Sequence, residues 1–271
     1  MDSHTIGSSP PVRYFVRDDD VGELTPELRF FVNAFLDRQI PVSYQIIPAR
    51  LTQACADFLL QVEVDHPDLI EFGQHGLHHA MTVKGKNLKR EFGPERDLLD
   101  QTAAIAEGLA VLKSKMGLDH PFEVFTPPQH KYDRSTPKAA AAAGHKVFSA
   151  ASYPSLHHQV AYGLGRALGF SSVLHHGISH HGGRRPEAAI RDLSIAVDVD
   201  DGRGVRWPAD RLGEGLAKAG QRSDVVGLMF HHAVYERQEG QAQLSAIADV
   251  LAGLGSGHFS KIMSIAEPLF V

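Results

Sequence analysis

Residues 12–36 have the sequence VRYFVRDDDVGELTPELRFFVNAFL, which joins a strand pattern to a helix pattern. The apolar run Val12–Val16 is typical of a buried strand. Thr25 and Pro26 then form an N-cap and N1 pair at the start of a helix. The apolar residues of this helix share one face: Leu28, Phe31, Val32, Phe35 and Leu36. A strand followed by an amphipathic helix is one unit of a parallel α/β fold.

The same alternation continues along the chain. Further strands are predicted at Val42–Ile47, Leu69–Phe72, Phe122–Phe125, Lys146–Phe148, Leu193–Val197 and Val225–Phe230. Further helices are predicted at Leu51–Val62, from Pro94 to Gly117, from Thr136 to Gly144, at Pro208–Ala219 and around Leu244–Leu254. Residues 153–187 show no clear period and are predicted to form a loop region with at most one short helix. About seven strand–helix repeats predict one α/β barrel domain over residues 1–271.

The composition excludes several classes of protein. The chain has 27 basic and 32 acidic residues and a net charge of −5, without a long block of like charge, so nucleic acid is not an expected partner. No run of 18 apolar residues indicates a membrane span. The single cysteine, Cys55, cannot form an internal disulfide, and the N-terminal residues lack a signal-peptide pattern, so a cytoplasmic location is expected. The unusual feature is the content of 17 histidines.

Three predicted strands are followed by side chains that can bind metal ions. These are Asp18, Asp19 and Asp20, then His75, His78 and His79, and finally His231 and His232. Because the carboxyl ends of the strands in a parallel barrel meet on one face, we expect these clusters to lie together. His75 and His79 are four residues apart, a spacing that puts two imidazoles on one side of a helical turn. A carboxylate from the aspartate run would complete a site of two histidines and one carboxylate; the alternatives are solvated histidines and an exposed acidic turn.

Four short motifs then occur in a fixed order. They are FVRDDDVG at residues 15–22, EFGQHGLHH at 71–79, FTPPQ at 125–129 and GLMFH at 227–231. This ordered set resembles the motifs of the polysaccharide deacetylases with a NodB homology domain, carbohydrate esterase family 4. The resemblance implies a distorted (β/α)7 barrel and agrees with the number of repeats counted independently.

The resemblance also implies an activity and its residues. The expected enzyme is a metal-dependent hydrolase that removes the N-acetyl group of an acetamido sugar or glycan precursor. By this resemblance Asp19 would be the general base, and the metal ligands would be Asp20, His75 and His79. The backbone N–H of Gln129 would bind the oxyanion, and His231 would be the proton donor. Zn²⁺ is the expected ion, because three N/O ligands with an open position suit it, although Co²⁺ or Ni²⁺ would also fit. Two alternatives stay open: Asp18 as base with Asp19 as ligand, and His232 as proton donor.

The chain departs from the family pattern at several positions. The differences are Thr126 for the motif arginine that orients the base, Gln129 for a tyrosine, and Gly76 for a hydroxyl residue. Arg17 is a candidate to replace the missing arginine, and Asp198 and Asp200 are candidates for the motif that supports the proton donor. These departures predict a divergent branch. They leave two rival hypotheses: hydrolysis of a non-sugar C–N bond, as in allantoinase-like relatives, and a catalytically inactive glycan-binding protein.

Further histidines and aromatic residues are candidates either for substrate binding or for a structural role. In the middle section the histidines are His157, His158, His175, His176, His180 and His181. The last pair, followed by Arg184 and Arg185, is the best candidate for a basic loop that binds an acidic sugar or a nucleotide-linked substrate; plain solvent exposure is the alternative. His130 and Tyr132 follow the third motif and are candidates to border the site. Trp207 and Cys55 are predicted to pack in the protein interior.

Overall fold

The computed structural model describes residues 12–83, 86–88, 90–152, 156–169 and 180–270. The strands are β1 Arg13–Val21, β2 Val42–Ile46, β3 Ile70–His75, β4 Met81–Val83, β5 Lys86–Leu88, β6 Val124–Thr126, β7 Val147–Phe148, β8 Arg191–Asp192, β9 Ile195–Asp198 and β10 Val225–Phe230. The helices are α1 Pro26–Leu36, α2 Gln53–Asp65, α3 Leu98–Met116, α4 Thr136–Ala142, α5 Leu156–Ala167, α6 Ala209–Gly220, α7 Gln238–Gly253 and α8 Ile262–Ala266. None of these described helices is long and apolar enough to cross a membrane.

All strands of the main sheet are parallel, and the sheet curves so that its two edges meet. Its strand order is β8-β7-β6-β3-β2-β1-β10-β9. The two edge strands, β8 and β9, are successive segments of one chain run. Ile195 of that run also pairs with the segment after β7, where its N–H donates to Ala150 O at 2.9 Å and its carbonyl accepts from Ser152 N at 2.7 Å. The sheet therefore has seven strand positions around a barrel, which confirms the predicted distorted (β/α)7 fold.

The first strand–helix unit folds as its sequence pattern predicts. Thr25 Oγ1 accepts the backbone N–H of Leu28 at 3.2 Å and caps α1. The buried face of α1 then packs on β10, where the rings of Phe31 and Phe35 lie 5.6 and 5.4 Å from that of Phe230. This contact fixes the two neighbouring strands β1 and β10, which carry aspartates and histidines at their carboxyl ends.

Several boundaries differ from the sequence predictions. Strand β1 continues to Val21 and β3 continues to His75, so the three aspartates and His75 lie within strand ends. The other predicted histidines, His78, His79, His231 and His232, follow the ends of β3 and β10. Gly73 does not end β3. It has no side chain because a Cβ there would lie 2.3 Å from Gln45 Oε1. Helix α3 begins at Leu98 after an Asp97 cap, not at Pro94.

The middle section contains a longer helix than expected. The sequence analysis assigned residues 153–187 mainly to loop, whereas α5 has 12 residues. Its large apolar side chains are mostly exposed, so they do not form the buried stripe that identifies a helix in a sequence. The sequence pattern also gave no prediction for the short helix α8, which has only five residues.

Candidate active site

The carboxyl ends of β1 and β3 bring three potential metal ligands together. Nε2 of His75 lies 3.2 Å and Nε2 of His79 lies 2.9 Å from the same oxygen, Oδ1 of Asp20. One donor atom from each residue falls within 4.8 Å of the other two. The contacts with the two imidazoles outweigh the cost of burial and hold the pKa of Asp20 well below its usual range. The carboxylate is therefore charged.

The hydrogen bonds around these ligands fit a cation. Nδ1 of His75 lies 3.1 Å from the carbonyl oxygen of Thr126, which can only accept, so Nδ1 carries a proton. In the neutral ring Nε2 then presents a lone pair towards Asp20 Oδ1. That oxygen is buried and has no hydrogen-bond partner among the described residues. Lone pairs that face each other need a positive charge between them, and this donor set suits a divalent metal ion.

The backbone at the ligands is strained, and it is not the helical turn that the four-residue spacing suggested. Asp20 and His79 have φ values of 65° and 72°, in the left-handed region that non-glycine residues rarely adopt. His75 ends a strand and His79 lies in the loop after it, so the expected helical geometry is wrong. The pairing register of β1 shifts between Asp18 and Val21, so the regular alternation of its side chains ends there. Strain of this kind is often found at functional sites.

The three consecutive aspartates have different surroundings. Asp19 and Asp20 line a cavity at the carboxyl end of the barrel, whereas Asp18 is fully buried. Asp18 accepts the backbone N–H of His232 at 2.9 Å and contacts its Nδ1 at 2.9 Å. Burial raises the pKa of Asp18, and the Asp18 charge raises the pKa of His232 against the opposing effect of burial. The structure thus assigns Asp18 and His232 to a buried pair outside the cavity.

Asp19 is held by a buried arginine. Arg17 Nε lies 2.7 Å from Asp19 Oδ1 and Arg17 Nη2 lies 3.0 Å from Oδ2, a two-point ion pair. The guanidinium is completely buried and also donates to Ser149 O at 2.7 Å. At the position of the missing family arginine, Thr126 donates its hydroxyl to Gln45 at 2.8 Å. Arg17 therefore supplies the contact to Asp19 that Thr126 cannot make.

His231 lines the same cavity, and its Nδ1 is paired with Asp200. Its Nδ1 lies 2.7 Å from Oδ1 of Asp200, whose Oδ2 accepts the backbone N–H of His231 at 2.9 Å and the hydroxyl of Tyr235 at 3.1 Å. Burial alone would lower the pKa of His231, but the hydrogen bond and charge of Asp200, with the charges of Asp19 and Asp20, raise it to about 9. His231 thus holds a proton at neutral pH. Of the two aspartates considered for its support, Asp200 makes the contact.

The cavity that joins these groups has a volume of about 690 Å³. Its further lining includes Gln129 and His130, each with a left-handed φ of 56°. Arg206 also lines the cavity and pairs with Asp198 at 3.2 Å and with Asp201 at 3.3 Å. The aspartates and histidines of the site thus share their cavity with a cationic side chain.

The basic segment in the middle section does not join this cavity. Arg185 is buried and pairs with Asp192 at 2.6 Å, so its guanidinium is engaged within the protein, whereas Arg184 is exposed. His181 Nε2 lies 2.8 Å from the carbonyl of Val225, at the amino end of β10 and away from the site. His180 contacts the hydroxyl of Tyr162 at 2.9 Å.

The other candidate residues lie partly at the cavity and partly in the protein interior or at its surface. Tyr132 is buried and receives a hydrogen bond from Arg185, while His130 borders the cavity. Cys55 is buried, and the ring of Trp207 packs against Gly215 of α6. His78 and His157 are exposed, and His175 and His176 lie outside the described residues.

Sequence reasoning missed one residue that contacts the site. Glu91 is buried and its carboxylate accepts backbone N–H groups from the loop that carries His79, at 2.9 Å from His79 N. It follows the β4–β5 hairpin at a position with no periodic pattern and no motif. A lone glutamate in such a segment is indistinguishable from a solvated one in the sequence.

The chain matches no protein-family model and no curated protein sequence. Solved structures match it over nearly its whole length. A family 4 acetyl xylan esterase from Clostridium thermocellum, in complex with a cobalt ion, has 11% identity, a TM-score of 0.56 and coverage of 94% of this chain and 90% of that one. A Mycobacterium smegmatis protein provisionally assigned to the polysaccharide deacetylases has 13% identity, a TM-score of 0.61 and coverage of 97% and 92%.

A third similar structure shows that the same fold also occurs in a pseudoenzyme. It is a family 4 pseudoenzyme from Bacillus anthracis, with 10% identity, a TM-score of 0.57 and coverage of 95% of this chain and 66% of that one. At these identities the comparisons establish the fold. The chain has the fold of the family 4 carbohydrate esterases and polysaccharide deacetylases, as its motifs predicted.

Proposed function

We propose that this protein is a divalent-metal-dependent deacetylase that hydrolyses the N-acetyl group of an acetamido sugar or glycan precursor. One observation carries the proposal: the donor set Asp20, His75 and His79 shares one cavity with Asp19 and His231. These side chains come from three strand ends of a fold that similar esterases and deacetylases use. Ligands, a proton acceptor and a proton donor are the groups that metal-assisted hydrolysis requires.

Asp20, His75 and His79 would hold the ion. Zn²⁺ is the proposed ion, because two imidazoles and one carboxylate leave a position open for water or substrate. A cation bound there lowers the pKa of a water molecule and polarises a carbonyl oxygen. The chain contributes the placement: His75 is fixed by its bond to Thr126 O at 3.1 Å, so its Nε2 is directed to Asp20.

Asp19 is proposed as the general base. The two-point contact with Arg17 fixes both carboxylate oxygens, and each oxygen keeps a further lone pair for a proton from the attacking water. Asp19 is thus oriented for proton transfer at the cavity wall.

His231 is proposed as the proton donor to the leaving amine. Its Nδ1 is engaged by Asp200 at 2.7 Å, so the proton available for transfer is on Nε2. The backbone N–H of Gln129, a residue that lines the cavity, is the proposed donor to the oxyanion. Water adds across the amide C–N bond, and the products are acetate and the free amino sugar.

Acetate release tests this proposal. The metal-stripped protein, reloaded with Zn²⁺ or Co²⁺, is incubated with a panel of acetamido sugars, acetylated xylan and cyclic amides. Release from the acetamido sugars that is lost in Asp19→Asn supports the deacetylase. Turnover of cyclic amides alone supports the rival C–N hydrolase. Sugar binding without turnover on the whole panel supports an inactive relative, and it would overturn the proposal.

A further inference from the structure

The loop between the two histidine ligands folds around one buried carboxylate. Leu77 N donates to both oxygens of Glu91 at 3.0 Å, His78 N donates to Oε1 at 3.1 Å, and His79 N donates to Oε2 at 2.9 Å. Glu91 is only 1% exposed. Successive N–H groups that converge in this way form a concave anion site in the backbone. Here the anion is a side chain of the protein itself.

The absence of a side chain at Gly76 leaves the space that the Glu91 carboxylate occupies. A Cβ on Gly76 would lie 2.2 Å from Glu91 Oε2 and 2.6 Å from Pro128 Cγ, and the residue has a φ of 63°. Any side chain at this position would collide with the Glu91 carboxylate as placed. Gly76 is therefore the residue that leaves room for Glu91.

A second buried glutamate shows what a purely structural role looks like. Glu71 accepts the N–H groups of Ile262 and Met263 at 3.1 and 2.8 Å, at the start of α8. It lies near the amino end of β3, whereas His75 ends that strand. Both glutamates bind neighbouring backbone N–H groups, but only those bonded to Glu91 include that of a candidate ligand, His79.

We infer that Glu91 is a positioning residue for the metal site. Its carboxylate fixes the loop that turns the imidazole of His79 towards Asp20, at 2.9 Å between Nε2 and Oδ1. The left-handed conformation of His79, with φ 72°, is costly alone, and the hydrogen bonds to Glu91 offset that cost. The inference rests on the proposed metal site.

A titration of the metal-stripped protein with Co²⁺, followed by visible absorption, tests the inference. Glu91→Gln keeps the shape but replaces one acceptor with an NH₂ group that faces backbone N–H donors. We expect Co²⁺ to bind about 10- to 100-fold more weakly and its absorption bands to shift. The matched control, Glu71→Gln, should lower the melting temperature but leave the Co²⁺ affinity and spectrum as in the wild type.

The outcomes separate the two proposals. A wild-type protein that binds no Co²⁺ contradicts the proposed function itself. Wild-type affinity and spectrum in Glu91→Gln, or an equal loss in Glu71→Gln, overturns the role of Glu91 alone. If Glu91→Gln does not fold, Glu91→Asp replaces it under the same criteria, because it keeps the charge but shortens the side chain by one methylene group.

Discussion

Arg17 and Asp19, two residues apart on β1, form a buried two-point ion pair with N–O distances of 2.7 and 3.0 Å. Both side chains belong to the strand end that also carries Asp20. The arginine that holds the proposed base, Asp19, is therefore part of the same sequence motif as the base itself. In the family pattern this contact comes from an arginine of the third motif, at the position that Thr126 occupies in this chain.

Replacement of Arg17 by lysine tests that contact. Lysine keeps the charge but cannot bond both carboxylate oxygens in the planar geometry of a guanidinium. We expect kcat to fall by about 10²-fold, the usual effect of misplacing a catalytic group by about 1 Å, while metal content stays unchanged. Steady-state kinetics and metal analysis check this. A wild-type kcat in Arg17→Lys would contradict the claim that the two-point contact with Arg17 positions Asp19.

Asp200→Asn should shift the alkaline limb of the pH–rate profile. His231 is protonated below its pKa of about 9, which the hydrogen bond and charge of Asp200 help to raise. The asparagine removes the negative charge, so the pKa of His231 falls and activity is lost at a lower pH. Profiles of kcat between pH 6 and 10 measure the shift. An unmoved alkaline limb would exclude His231 as the titrating donor.

The same group affects stability. The raised pKa of His231 means that its contribution to folding is complete below the unfolded value near 6.5 and is lost as the pH rises through about 9. Melting temperatures of the metal-free protein should therefore fall between pH 6.5 and 9. The fall should be smaller in Asp200→Asn, and an equal slope in both proteins would contradict this linkage.

Asp18→Asn should affect folding and not the metal. It breaks the buried pair with His232 and leaves a buried imidazole without its charged partner, at a cost of about 3–5 kcal/mol in unfolding free energy. Metal content per folded molecule should equal that of the wild type. Denaturant unfolding and metal analysis check both. Loss of turnover with the metal retained in a folded Asp18→Asn protein, together with metal loss in Asp19→Asn, would favour the alternative register, with Asp18 as base and Asp19 as ligand.

The barrel was predictable because its signals are local. The Thr25 cap and the apolar face of α1 determine a helix wherever it packs, and β10 is a continuous apolar run whose predicted limits, Val225–Phe230, are those observed. The geometry of His79 was not predictable. A spacing of four residues is common to a helix and to this loop, and only the left-handed φ of 72° and the contact with Glu91 distinguish them.

The partners of the aspartates were only partly predictable, since the sequence offered Arg17 for Asp19 but no partner for Asp18. Asp18, Asp19 and Asp20 are chemically identical, so their order gives no sign of which one lies outside the cavity. The register shift in β1 and the distant residue His232 decide it. Long-range contacts of this kind depend on the closed barrel and have no counterpart in local patterns.

The most direct test compares Asp19→Asn with Asp20→Asn for metal content and acetate release. Asp19→Asn keeps its shape but cannot accept a proton, so turnover should drop by about 10²- to 10⁴-fold while the metal stays bound. Asp20→Asn should lose the metal, because an amide oxygen is a weaker ligand than a carboxylate. Metal loss in Asp19→Asn with retention in Asp20→Asn, or full acetate release from both, would contradict the account.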